Sequence, residues 1–242
     1  MPELIGGYRH FHDDLAALTQ RLLDMSERAE SLIALAIEAW IERDADKAHV
    51  VIDGDEELDR LEVEAENQAI AMLALQQPMA RDLRFLIGAI KVSSDLERVG
   101  DHAVNIAEST VRMAREGHQP LVVPALPDMA RRARRMLSDA LDAFIRGNGE
   151  LGRAVRDADD EVDGLHSGIY RQLVSQMTAD PKTVAPGLEL LLVSRNLERV
   201  ADLATNIGED AVYLVDGTQI RHRYEELARP ARPPQPDTSP GS

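Results

Sequence analysis

The segment DLERVGDHAVNIAE, residues 95–108, returns 101 positions later as NLERVADLATNIGE, residues 196–209, with no gap and nine of 14 positions identical. In the first copy Val92, Leu96, Val99, Ala103 and Ile106 recur at spacings of four and three. At about 100° per residue they fall on one side of a helix. Neither copy contains proline or a period-two alternation, so both read as amphipathic helix needing partners for the apolar side. A second motif repeats upstream: DEELD at 55–59 and DDEVD at 159–163, offset by 104 residues. Two motifs in the same order in each half point to a duplicated chain of helical bundles.

The rest of the pattern is also helical. Phe11, Leu15, Leu18, Leu22, Met25, Ala29, Leu32, Ala36 and Ala39 form one long stripe. The polar run Asp44 to Asp53 predicts a turn. Leu58, Leu61, Ala65, Ala69 and Met72 mark a second helix, broken at Gln76-Gln77-Pro78. A third runs from about Arg81 to Glu116, with Gly117 as C-cap. Pro120, Pro124 and Pro127 then exclude helix and mark a linker. Met129, Ala133, Met136, Ala140 and Ala143 restart the pattern, and Val162, Leu165, Ile169 and Leu173 carry a fifth helix to the break at Asp180-Pro181. A sixth spans roughly 185–215. The expected fold is all-α: two tandem three-helix bundles, 1–118 and 119–228, followed by a disordered Pro-rich tail at 229–242.

Composition narrows the function. The chain has 242 residues and a formal charge of −16, with 44% hydrophobic but 3% aromatic residues. An aliphatic core suits helix packing. The acidity excludes a nucleic-acid binder, which needs clustered cations. The chain has no cysteine, so disulfides, thiolate metal sites and cysteine nucleophiles are excluded. There is no phosphate loop and no dinucleotide fingerprint. No apolar run approaches the ~18 residues of a membrane span, and the N-terminus does not read as a secretory signal. The expected location is the cytoplasm, with no direct membrane insertion.

What remains is acid. On the third helix Glu97, Asp101 and Glu108 lie opposite the apolar stripe, within about 40° of one another, with Asn105 beside them. Asp55, Asp59, Glu62 and Glu66 line the second helix. Asp59 and Val99 each lie about 20 residues from the Pro78 turn, so antiparallel packing sets them ~30 Å from it, at one height. Asp159, Asp163, Glu198 and Asp202 repeat the arrangement. Carboxylates at that density repel unless a cation sits among them, and an all-oxygen site suits Mg²⁺, Mn²⁺ or iron. An isolated acidic face is ordinarily just solvated; recurrence in both halves is what raises metal binding above that. Di-iron oxidases want paired Glu-x-x-His motifs; none of the seven histidines has Glu three residues before it, although Asp163 precedes His166 by three. His102 reads as a packing histidine, Arg98 and Arg199 as partners of neighbouring acids, and Trp40 as a core or bundle-end residue.

The run QPMARDLRFLI at 77–87, the two copies above, Tyr213-Leu-Val-Asp-Gly and Arg221-His222 together closely resemble the PhoU family, over roughly residues 1–225. The resemblance implies two three-helix bundles related by approximate two-fold symmetry, and a homodimer. It implies metal clusters, of Fe, Mn, Zn or Mg, on Asp55, Asp59, Glu97 and Asp101 and on Asp159, Asp163, Glu198 and Asp202. It implies a non-enzymatic regulator between the phosphate-specific ABC transporter and the phosphate-regulon sensor histidine kinase, repressing the starvation response when phosphate is plentiful. A carboxylate-metal enzyme, a phosphatase or oxidase, is the alternative. Where the family has Gly-Asp-His, the second copy has Ala201-Asp202-Leu203, so the second cluster is expected to release metal first, for want of a polar neighbour like His102.

Overall fold

The computed structural model describes residues 3–118 and 121–217, side chains from residue 10 onward; the expected tail lies outside them. Seven α-helices and one 3₁₀ turn follow in order: α1 (Glu3–Glu42), α2 (Ala45–Gly54), α3 (Glu56–Gln76), α4 (Ala80–Glu116), α5 (Ala125–Arg146), α6 (Gly149–Ala179), the turn Pro181–Thr183 and α7 (Val184–Asp216). No strand occurs among the described residues. The all-α duplicated fold is as expected, with two corrections; the first is that Pro127, expected in the linker, stands in the first turn of α5, where a helix makes no use of its N–H.

The polar stretch Asp44 to Asp53 is not a turn but helix α2. Asp44 caps it, its carboxylate accepting from the backbone N–H of Asp46 and Lys47 at 3.0 Å each, and Ala48 and Val51 are fully buried beneath the polar residues. With ten residues the helix is too short for its stripe of Ala45, Ala48, Val51 and Ile52 to stand out between the flanking acids, and the cap fixes where it starts. The true turn is only Arg43-Asp44, with Arg43 at φ +61°.

α1, α4, α5 and α7 form the middle of the molecule: α4 packs on α1 and α7, and α5 on α1 and α7. α3 lies outside against α4 and α1, and α6 outside against α7 and α5. The central helices carry most of the buried apolar residues. Leu86, Val92, Leu96, Val99 and Ile106 of α4 and Leu190, Val193, Leu197, Val200 and Ile207 of α7 are all fully buried. α4 and α7 run antiparallel, cross-tied from end to end. Arg84 Nε donates to the Leu214 carbonyl at 3.2 Å, Lys91 pairs with Asp210 at 3.2 Å, and Arg112 grips both oxygens of Glu189 at 3.1 Å. Phe144 of α5 reaches α4 and stacks on Phe85, centroids 5.2 Å apart, over Gly88.

Candidate metal centre

Each acidic cluster sits in the seam between an outer helix and a long central one. In the first half Asp55 stands at the α2–α3 junction, followed by Asp59 and Glu62 on α3, while α4 carries Glu97 and Asp101. The first turn of α3 holds Glu56, Glu57 and Asp59, where the unpaired N–H groups of a helix start favour negative charge. Asp55 is pressed against α4 at Gly100, where a Cβ would collide with Asp55 Oδ1 and lie 2.6 Å from the Leu58 side chain. That oxygen is consequently buried, with no hydrogen-bond partner.

The electrostatics follow from this packing. Burial raises Asp55 from its ordinary range to about 6, and the nearby charges of Asp59 and Asp101 push the same way. Burial likewise raises Glu97 to about 7, reinforced by Asp101, Glu62, Asp59 and Asp55. So the four predicted carboxylates are brought together, with Glu62 as a fifth. They do not all lie on the outer surface: Asp59 and Asp101 are exposed, while Asp55 and Glu97 are half-buried.

The second half repeats the arrangement between α6 and α7. Asp159 is raised to about 6, first by burial and then by Asp163, Asp202, Asp160 and Glu198. Its Oδ1 is also buried without a partner. Two carboxylate oxygens orphaned at equivalent positions, each among three or more like charges, are what a bound cation would satisfy. An all-oxygen donor set fits a hard or borderline cation. Among the described residues no group of three or more carboxylate or imidazole side chains is already placed to hold a metal ion.

Other candidates fall away. Glu108 lies three turns from Glu97 and pairs with Arg112. The half-buried ring of His102 donates from Nδ1 to Asn196 Oδ1 at 2.9 Å, tying α4 to α7, and the charge of Asp101 also acts on it. His166 points its Nδ1 at Ser194 Oγ, 3.1 Å away. Ser194 is fully buried and its hydroxyl donates to the Leu191 carbonyl, so this pair offers no accessible nucleophile. Arg98 and Arg199 do pair with neighbouring acids, Asp95 and Asp202. Sequence reasoning missed the role of Gly100. Its only signal was the Gly-to-Ala difference between the two copies.

These features define an all-α protein of two fused helical repeats, each with a carboxylate cluster along its outer seam. The chain belongs to the PhoU family: the family model described as PhoU domain matches it twice, at residues 22–110 and 126–211. It is 34% identical over 209 residues to a protein of Rhizobium meliloti named phosphate-specific transport system accessory protein PhoU homolog, covering 86% of this chain and 88% of that one. A homolog of the same name from Clostridium acetobutylicum is 36% identical, over 87% of this chain and 96% of its own. The crystal structure of PhoU from Pseudomonas aeruginosa superposes with a TM-score of 0.82 at 33% identity, covering 86% of this chain and all of that one. The phosphate transport system regulatory protein PhoU from Streptococcus pneumoniae gives 0.81 at 28% identity, over 87% and 99% of the two chains.

Proposed function

We propose that this chain is a non-enzymatic regulator of phosphate uptake and phosphate-starvation signalling, with residues 1–118 and 119–228 as its two repeats. It works at the cytoplasmic face of the phosphate-specific ABC transporter, as a homodimer, and couples the transporter to the sensor histidine kinase of the regulon. It holds the starvation response off when phosphate is plentiful. The observation that carries this reading is likeness to phosphate-transport accessory proteins across both repeats and over most of each chain. No described helix is long and apolar enough to cross a membrane, so attachment to the transporter would run through protein contacts.

The two clusters hold Fe, Mn, Zn or Mg ions as structural or interface-forming groups. The support is the pair of orphaned Asp55 and Asp159 oxygens and the mutual repulsion around them. When bound, the metal supplies positive charge; the chain supplies eight carboxylates and the rigid seams that aim them.

Deletion of the gene tests the regulatory role: it should switch phosphate-responsive genes on in phosphate-rich medium. Silent genes in the deletion strain would refute it. Replacing Glu97, Asp101, Glu198 and Asp202 together with alanine tests the metal. A folded, metal-free variant that still represses normally would remove metal from the signal.

A further inference from the structure

Resting on the metal reading above, we infer that the two clusters are unequal because the chain places its own cation in the second: Arg199 is a resident counter-ion that competes with metal for Asp202. Arg98 and Arg199 occupy equivalent positions in the two copies, yet they turn opposite ways. Arg98 turns back one turn to Asp95, Nη1 to Oδ1 3.6 Å, away from its cluster. Arg199 turns forward to Asp202, Nη1 to Oδ2 2.9 Å, into its cluster. Among the described residues no arginine or lysine bonds Asp101, the equivalent of Asp202.

One substitution between the copies accounts for the difference. Where the first has Asp95, the second has Asn196, a neutral side chain. Both of its polar atoms are engaged: Oδ1 accepts from His102 Nδ1 at 2.9 Å, and Nδ2 donates to the Leu192 carbonyl at 2.9 Å. Arg199 thus lacks the backward anchor that Arg98 has, and Asp202 is the acid one turn ahead. An ion entering the second cluster must displace the guanidinium or share Asp202 with it and bear its repulsion. An exposed ion pair of this kind is a modest competitor, so the second cluster is expected to bind about fivefold more weakly than the first.

Mn²⁺ titration of the full chain, with free Mn²⁺ read by electron paramagnetic resonance, tests this in single-cluster backgrounds. Asp59→Asn with Asp101→Asn leaves only the second cluster; Asp163→Asn with Asp202→Asn leaves only the first. The second cluster should be the weaker. Arg199→Gln should strengthen it about fivefold. Asn196→Asp, which restores the backward anchor and can still accept from His102, should do the same. Arg98→Gln should leave the first cluster unchanged. Equal affinities in the two backgrounds, or a second cluster that responds to neither Arg199→Gln nor Asn196→Asp, would overturn the inference and leave the metal reading standing. Mn²⁺ held by neither cluster would overturn the metal reading, and this inference with it.

Discussion

Asp55→Asn should make the metal-free protein more stable and the metal-loaded protein less so. In the folded chain Asp55 titrates at about 6, against an ordinary 3.8, because it is half-buried and faces Asp59 and Asp101. A carboxyl raised on folding favours the folded state at low pH, below about 4, and loses that contribution as pH rises through about 6. At pH 7.5 wild-type Asp55 is ionised and the fold carries the whole cost of its burial and repulsion. Each tenfold between the two values is worth ~1.4 kcal/mol, so the ceiling is about 3 kcal/mol; solvent screening at a half-buried site brings the expected gain to about 1–2 kcal/mol. Asparagine keeps the shape, stays neutral, and can place its oxygen where Oδ1 already lacks a partner. For a chain of this size the gain is a rise in Tm of roughly 2–4 °C per kcal/mol. The assay is thermal or urea unfolding with a chelator present, at pH 4 and pH 7.5. The stabilisation should appear at pH 7.5 and vanish at pH 4. Added Mn²⁺ should reverse the order, because the ligand that stabilises wild type by mass action has lost a donor. If the variant is destabilised in chelator at pH 7.5, Asp55 is an ordinary structural acceptor and the reasoning fails.

Other outcomes follow from the same geometry. Metal-free wild type should lose stability between pH 5 and pH 8, since Glu97 is raised to about 7 and ionises across that window; Glu97→Gln should flatten that slope in urea unfolding. Asp101→Ala and Asp202→Ala should each remove about one cluster's share of metal in elemental analysis, and unchanged content in the double variant would end the metal reading. Gly88→Ala would place a methyl 2.6 Å from the Phe144 ring; overpacking by about 1–3 kcal/mol should outweigh the helix gain of alanine and lower Tm, with Phe144→Leu restoring part of the loss. Association of this −16 chain with a basic partner surface should weaken as salt rises through ~0.15 M, and a salt-independent Kd would rule out charge steering.

Most of the fold was legible because helical periodicity is local. The stripe from Phe11 to Ala39, the proline breaks and the two repeated motifs each need only their own neighbours in the chain to be read. They specify long amphipathic helices, their order and their duplication. α2 was missed for the same reason, since ten residues between acidic flanks are too few to establish a period. Which acids share a face was legible too: those one turn apart on a helix do, and similar distances from the Pro78 turn set Asp59 level with Val99, between Glu97 and Asp101.

Only the tertiary structure decided what those acids experience. The half-burial of Asp55 depends on how closely α4 approaches at Gly100, and approach distance is a property of two packed surfaces. The direction in which each cluster's arginine turns was also decided in three dimensions, although the residue difference behind it stands in the sequence. Asp95 and Asn196 differ by one atom, and local rules let an arginine reach an acid one turn in either direction. His102, 94 residues away on the other repeat, engages Asn196, and the loss of a charged anchor there sends Arg199 to Asp202. Periodicity sets which face a side chain occupies; which neighbour it meets there is set by a helix from elsewhere in the chain.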